Sequence, residues 1–234
     1  MIREKIEAPE EGSTGRTLCR STKKRIYNSA GPNAHRILAT VPRCPMPLPS
    51  LLSFAHECVR TALSPSGTAI DATAGNGHDT LILAEGVGAD GRVFAFDVQT
   101  DALESTRRRL ADAGMEDRVT LLERSHDTMA AALPKRYHGT VDAIMFNLGY
   151  LPGSNKRIIT QPKTTLPALQ QALVLLRSGG VLTVVLYRGH EGGASEADAV
   201  MAWATDRSPD EARVRAYRTL NRPQAPELLA IERQ

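Results

Sequence analysis

Between Thr68 and Tyr187 five short apolar runs alternate with stretches of helical spacing, and this alternation restricts the chain to very few architectures. The runs are Thr68 to Asp71, Arg92 to Asp97, Val119 to Glu123, Val141 to Asn147 and Val181 to Tyr187, each expected to be a strand. Helices are expected over Asp79 to Glu85, Thr100 to Ala113, Thr128 to Leu133, Thr165 to Leu176 (closed by Ser178, Gly179 and Gly180) and Ser195 to Thr205. Before the first strand, Ser50 caps a helix carrying Leu51, Leu52, Ala55, Val59 and Leu63 on one stripe. After the last helix, two strands over Arg213 to Thr219 and Leu228 to Ile231 are joined through Pro223 and Pro226 with no room for a helix. Alternating strands and helices predict an α/β fold, a mostly parallel seven-stranded sheet with helices on both faces. The closing hairpin forces one strand to run antiparallel, because a short connection cannot join parallel neighbours. In such sheets ligands sit beyond the carboxyl ends of the strands, where the strand order reverses.

Composition removes several classes of function. The longest apolar stretch, Val181 to Tyr187, is far shorter than the roughly 20 residues of a membrane helix, so no membrane span is expected. Cys19, Cys44 and Cys58 form no C-x-x-C pair and lie near no histidine at metal-ligand spacing. Neither a disulfide framework nor a metal site is indicated, and a reducing, cytoplasmic setting fits.

Charge divides the chain more sharply than its total of +3 suggests. Residues 1–45 hold nine Lys or Arg against four Glu, a net +5, and the remainder is −2. The run from Gly12 to Cys44 has no acid and no helical or strand periodicity. It predicts a disordered basic arm over 1–45, with one folded domain over 46–234. Such an arm can hold RNA phosphates by releasing their counterions, or be only a solvated extension. The early glutamates and the lack of an apolar core segment argue against a targeting signal, and Met46 is a plausible alternative start.

The first strand leads into Asp71-Ala-Thr-Ala-Gly-Asn-Gly-His-Asp-Thr80, a loop that turns on Gly75 and Gly77 and enters a helix. Glycines there let the backbone approach a ligand closely. A dinucleotide pyrophosphate wants the helix N-terminus free of carboxylates, whereas Asp71 and Asp79 flank this loop, and Thr80 stands where the fingerprint's third glycine belongs. Two acids suit a cationic ligand, and S-adenosylmethionine, with its sulfonium and α-ammonium groups, fits better than NAD. A plain capping role for Asp79 is compatible with the same residues. The second strand ends in Asp97, where a carboxylate can accept two ribose hydroxyls. Ser125-His126-Asp127 follows the third strand, at the place where class I methyltransferases contact adenine. The fourth strand ends in Asn147-Leu-Gly-Tyr150, similar to the Asn-Pro-Pro-Tyr loop of amino-group methyltransferases, with Leu148 and Gly149 replacing both prolines.

Taken in order, the Asp71–Thr80 block, Phe96-Asp97-Val-Gln99, Ser125-His126, Phe146-Asn147-Leu-Gly-Tyr-Leu-Pro-Gly153 and Tyr187-Arg-Gly-His-Glu-Gly-Gly193 resemble the signature blocks of the YtqB-like rRNA methylase family, over about Leu48 to Glu232. The resemblance implies a Rossmann-like class I methyltransferase fold and S-adenosyl-L-methionine as cofactor. It implies a tRNA substrate, methylated on the side-chain amine of 5-aminomethyl-2-thiouridine at the wobble position, with rRNA the less favoured partner. Carried over block by block, Asp71, Gly75, Asn76, Gly77, Asp79, Asp97, Gln99, Ser125 and His126 line the cofactor site. Asn147 orients the target nitrogen with the Leu148 carbonyl, while Tyr150 or His190 removes or relays a proton. A small-metabolite methyltransferase and a non-catalytic module that keeps the cofactor and RNA sites stand as alternatives. Monomer and homodimer both stay open.

Overall fold

Val141–Asn147 is buried along almost its whole length, and successive side chains enter two different cores. Val141, Ile144 and Phe146 join one, Ala143 and Met145 the other. A strand buried on both faces belongs in the middle of a helix-covered sheet. This is the architecture of the computed structural model, which describes residues 48–149 and 159–234. The basic arm expected over 1–45 and the expected Tyr150 site lie outside the described residues.

The described elements are α1 (Leu51–Ala62), β1 (Thr68–Asp71), α2 (His78–Val87), β2 (Arg92–Asp97), α3 (Thr100–Asp112), β3 (Val119–Glu123), α4 (Met129–Ala132), β4 (Val141–Asn147), α5 (Pro162–Leu175), β5 (Leu176–Leu186), α6 (Gly193–Thr205), β6 (Ala212–Arg218) and β7 (Glu227–Arg233). The strand order is β3-β2-β1-β4-β5-β7-β6. β1 to β5 pair in parallel, β7 runs antiparallel to both β5 and β6, and so it is the one reversed strand of the seven. The order reverses between β1 and β4, which opens a crevice at their carboxyl ends.

Ala55 and Val59 of α1, Leu83, Ala84 and Val87 of α2 and Leu110 of α3 pack with Ala69, Val93 and Val185 on one face. On the other, Met129 of α4, Ala168, Leu169 and Ala172 of α5 and Ala197 and Val200 of α6 pack with Ile70, Phe96 and Val184. α1 begins as expected at Ser50, whose hydroxyl accepts the Ser53 N–H.

Most boundaries lie within two residues of the expectation, and three places differ in kind or by more. α5 starts at Pro162, not Thr165, because proline is tolerated in the first helical turn, where its missing N–H has no intrahelical partner. The Ser178-Gly179-Gly180 segment does not close that helix. β5 starts at Leu176 opposite Val141, the next pairing is Val181 with Ala143, and the residues between form an irregularity on which Gly179 turns at φ 72°. The helix expected over Thr128 to Leu133 is a 3₁₀ turn, His126–Thr128, followed by the single α turn of α4.

Candidate active site

The loop after β1 is held from below by its own acid and from the side by α3. Asp71 is completely buried; Oδ1 accepts the Thr73 N–H at 3.0 Å and Oδ2 the Thr80 hydroxyl at 2.6 Å. Burial, then the nearby Asp79 charge, pushes its pKa up to about 7 against the opposing pull of those hydrogen bonds. Asp71 therefore braces the loop from inside. Gly75 and Gly77 take left-handed φ of 53° and 77°. A Cβ on Gly77 would lie 2.8 Å from Thr106 Cα, so glycine at 77 is required by the approach of α3. From α3, Thr106 donates its hydroxyl to the Gly75 carbonyl at 3.1 Å, and Arg109 Nε donates to the Asn76 carbonyl at 2.7 Å.

Asp97 closes the other side. Its Oδ2 accepts the Gly75 N–H at 2.9 Å and its Oδ1 the Gln99 N–H at 2.9 Å, which leaves each oxygen a further lone pair. Beyond β3, His126 is buried with its ring 5.6 Å from that of Phe146, and its Nε2 has no hydrogen-bond partner among the described residues. Burial holds this imidazole below its usual range despite the nearby Asp127 charge and Ala72 carbonyl. Ser125 immediately precedes it and is half-buried.

The end of β4 turns toward the same loop. Asn147 donates its backbone N–H to Thr73 Oγ1 at 2.7 Å and its side-chain amide to Asp79 Oδ2 at 3.3 Å. Asp79 Oδ1 meets His56 Nε2 of α1 at 2.7 Å. Of the two acids expected to suit a cationic ligand, Asp71 is engaged by the loop and Asp79 by His56 and Asn147. Tyr187, just past β5, completes this cluster. Burial and the Asp79 charge raise its phenol, and a hydrogen bond with the Asn147 side chain opposes them.

The loop that follows β4 is clamped at its base. Gly149 and Thr160 bond each other through Gly149 N–H to Thr160 Oγ1 and Thr160 N–H to the Gly149 carbonyl, both at 2.9 Å. The Thr160 hydroxyl donates to Glu196 Oε2 and the Thr165 hydroxyl to Glu196 Oε1, each at 2.6 Å, and Glu196 is buried on α6. His190 shares its Nδ1 with the Glu191 carbonyl at 2.9 Å. Its Nε2 edge lies where a Cβ on Gly193 would fall at 2.7 Å and one on Gly149 at 3.6 Å. His190 therefore stands beside the loop that carries Asn147.

The structure thus brings Asp71, Gly75, Asn76, Gly77, Asp79, Asp97, Gln99 and Asn147 to the carboxyl edge of the sheet, with Ser125 and His126 after β3 and His190 after β5. Sequence reasoning did not single out His56, Thr73, Tyr187 or Glu196. Thr73 and Tyr187 stood in recognised blocks, and His56 and Glu196 belong to no motif.

Comparison with known proteins gives a consistent picture. A family model described as "Putative rRNA methylase" matches residues 93–233. The chain is 39% identical over 183 residues to the protein named "tRNA (mnm(5)s(2)U34)-methyltransferase, chloroplastic" of Arabidopsis thaliana, covering 75% of this chain and 66% of that one, just under two thirds of the relative's length. A solved structure titled "putative rRNA-methylase" from Clostridium thermocellum superposes with a TM-score of 0.76 at 37% identity, over 80% of this chain and 99% of that one. A "putative methyltransferase" from Streptococcus mutans, solved in complex with SAH, gives 0.71 at 34%, over 80% and 99%.

Proposed function

This chain belongs to the rRNA methylase family, and we propose that it is an S-adenosylmethionine-dependent RNA methyltransferase that methylates the side-chain amine of 5-aminomethyl-2-thiouridine at the tRNA wobble position. The observation that carries the proposal is the placement of Asn147. It sits at the end of β4, beside the reversal in strand order, with its backbone fixed on Thr73 and its amide on Asp79. The name of the Arabidopsis relative supports tRNA over rRNA as the substrate.

The residues present fit the cofactor. Asp97 ends β2 with lone pairs to spare for two ribose hydroxyls, the turn at Gly75 to Gly77 brings backbone to the crevice, and the buried His126 Nε2 is unpaired among the described residues beside the loop after β3. Gly75, Asn76, Gly77, Asp97, Gln99, Ser125 and His126 would hold it, over a loop braced by Asp71. When bound, S-adenosylmethionine supplies a methyl group made electrophilic by its sulfonium.

The protein's remaining task is to present a neutral amine in line. A primary alkyl amine resembles lysine, with a reference pKa of about 10.4, so it must lose a proton before its lone pair is available. Asn147 and the Leu148 carbonyl orient the nitrogen. His190, beside Gly149, or Tyr150 takes the proton. Alignment of this kind supplies most of what the reaction requires. A reducing, cytoplasmic setting is proposed from the cysteine content; the Arabidopsis relative's own name places that protein in the chloroplast.

The test is mass spectrometry of tRNA nucleosides from cells with and without the gene, joined to methylation of the isolated tRNA by purified protein. Accumulation of unmethylated 5-aminomethyl-2-thiouridine, reversed by the protein and S-adenosylmethionine, is expected. Unchanged tRNA nucleosides together with a missing methyl group in rRNA would overturn the tRNA assignment.

A further inference from the structure

Asp79 lies at a junction that the glycine loop does not account for. α1 precedes the first strand and carries none of the recognised motifs, yet it delivers His56 Nε2 to 2.7 Å from Asp79 Oδ1. The other carboxylate oxygen accepts from Asn147 Nδ2 at 3.3 Å. The pair is well shielded, with side-chain exposures of 16% for His56 and 10% for Asp79. Three segments distant in sequence (α1, the start of α2 and the end of β4) therefore meet on one acid.

The hydrogen-bonding inventory of these groups leaves little freedom. An ionised carboxylate only accepts, so each neighbour of Asp79 must turn a hydrogen toward it. His56 must carry its proton on Nε2, and Asn147 must present the NH₂ end of its amide. The Oδ1 end of Asn147 is then turned away from Asp79. An amine about to be methylated needs an acceptor for its N–H while its lone pair stays directed at the methyl carbon, and only the oxygen end of an amide provides one. An asparagine without such a neighbour can present either end, because its oxygen and nitrogen are nearly the same size.

Building on the methyltransferase reading above, we propose that His56 and Asp79 are positioning residues for the transfer. Asp79 locks the Asn147 amide with its oxygen toward the target nitrogen, and His56 locks Asp79. In this assignment Asp79 serves the amine side of the site, not the cofactor. No proton passes along the chain, because the Nε2 hydrogen of His56 is committed to Asp79.

The experiment compares Asp79→Asn, His56→Phe and His56→Gln in the full chain by three measurements. These are SAH affinity by calorimetry, single-turnover methylation of tRNA at saturating S-adenosylmethionine, and the ¹⁵N side-chain amide resonances of Asn147, assigned with Asn147→Ala. The proposal expects SAH affinity within about threefold of wild type in all three, since the cofactor is held elsewhere. It expects single-turnover rates reduced by up to on the order of 10²-fold in Asp79→Asn and His56→Phe, the scale of a misaligned reacting group. His56→Gln, which keeps an N–H donor, should recover most of the rate missing in His56→Phe. The Asn147 amide pair should shift and exchange faster with solvent in Asp79→Asn and His56→Phe. A tenfold or greater loss of SAH affinity in Asp79→Asn would make Asp79 a cofactor ligand and overturn the proposal. So would wild-type rates with unchanged amide resonances. A wild-type protein that binds SAH yet transfers nothing to tRNA defeats the substrate reading separately, and the amide resonances still decide whether His56 and Asp79 set the Asn147 amide.

Discussion

The carboxylate of Asp97, at the end of β2, accepts the backbone N–H of Gly75, in the turn after β1, at 2.9 Å. One acid therefore shapes the glycine turn and keeps lone pairs that, in the proposed cofactor site, would take ribose hydroxyls. Asp97→Ala should weaken S-adenosylhomocysteine binding by about 1.5–3 kcal/mol, the range for removing hydrogen bonds to a charged acceptor. Calorimetry on the folded variant measures this, with NAD as a control expected not to bind wild type. Undiminished affinity would remove Asp97 from the cofactor site.

Asp71 makes a prediction about pH. Its pKa is raised to about 7 in the folded protein by burial and by Asp79, against an ordinary value near 4 unfolded. Between those values the folded state binds the proton and the unfolded state does not, so this group's contribution to stability declines as pH rises from about 4 to about 7. His126, held below its usual range, acts in the opposite sense, its stabilisation fading as pH falls through 6.5 and below. The two are separated by Asp71→Asn, which keeps an acceptor for the Thr73 N–H and a polar partner for Thr80. Urea unfolding at pH 5, 6, 7 and 8 should show the variant gaining stability relative to wild type as pH rises. A constant difference across the series would mean that Asp71 does not titrate in this window.

Glu196 anchors the base of the loop after β4 from an almost fully buried position, accepting the hydroxyls of Thr160 and Thr165. Glu196→Ala takes the acceptor from the half-buried Thr160 hydroxyl and leaves the buried Thr165 hydroxyl unpaired, at roughly 1–3 kcal/mol for the latter. The urea midpoint should fall accordingly, and tRNA turnover should fall more than S-adenosylhomocysteine affinity, because Thr160 pairs with Gly149, two residues from Asn147. Glu196→Gln, which retains one acceptor, should be much milder. Equal midpoints for Glu196→Ala and wild type would show that the clamp contributes nothing.

What was legible in the amino-acid sequence follows a physical divide. The strands were readable because a parallel sheet covered on both faces demands continuous apolar runs, and β4 and β5 supply them. The hairpin was readable because the link between β6 and β7 is too short for a crossover. Boundaries slipped where local rules compete. Pro162 reads as a helix breaker yet starts α5, and Gly179-Gly180 read as a helix stop yet lie inside β5. In the site, Asp97 and the glycine turn were visible because strand end, turn and helix start are neighbours in sequence. His56 was not, since a histidine between Ala55 and Val59 at the border of an apolar stripe looks the same whether it meets solvent or an acid 23 residues away. Glu196 was hidden likewise: a glutamate in the first turn of α6 reads as an ordinary helix-dipole partner, and only the packing of α5 against α6 brings Thr165 to it.

The charge division of the chain supports a last prediction, about residues 1–45. They carry +5, whereas the remaining residues carry −2, so an RNA held by long-range attraction has its main source of positive charge in that segment. Among the described residues, α1 starts at Leu51 with its own cap from Ser50, and the apolar residues packed on the sheet begin at Leu51. A chain starting at Met46 should therefore fold and bind S-adenosylhomocysteine with wild-type affinity. Its binding to tRNA should weaken at low salt, and the slope of log K against log salt should flatten by about 0.7–0.9 for each phosphate that the arm no longer neutralises. Filter binding of tRNA across a potassium chloride titration reads both quantities. Parallel salt slopes for the truncated and full-length chains would show that the basic segment is a solvated extension, and that the tRNA is held by the domain alone.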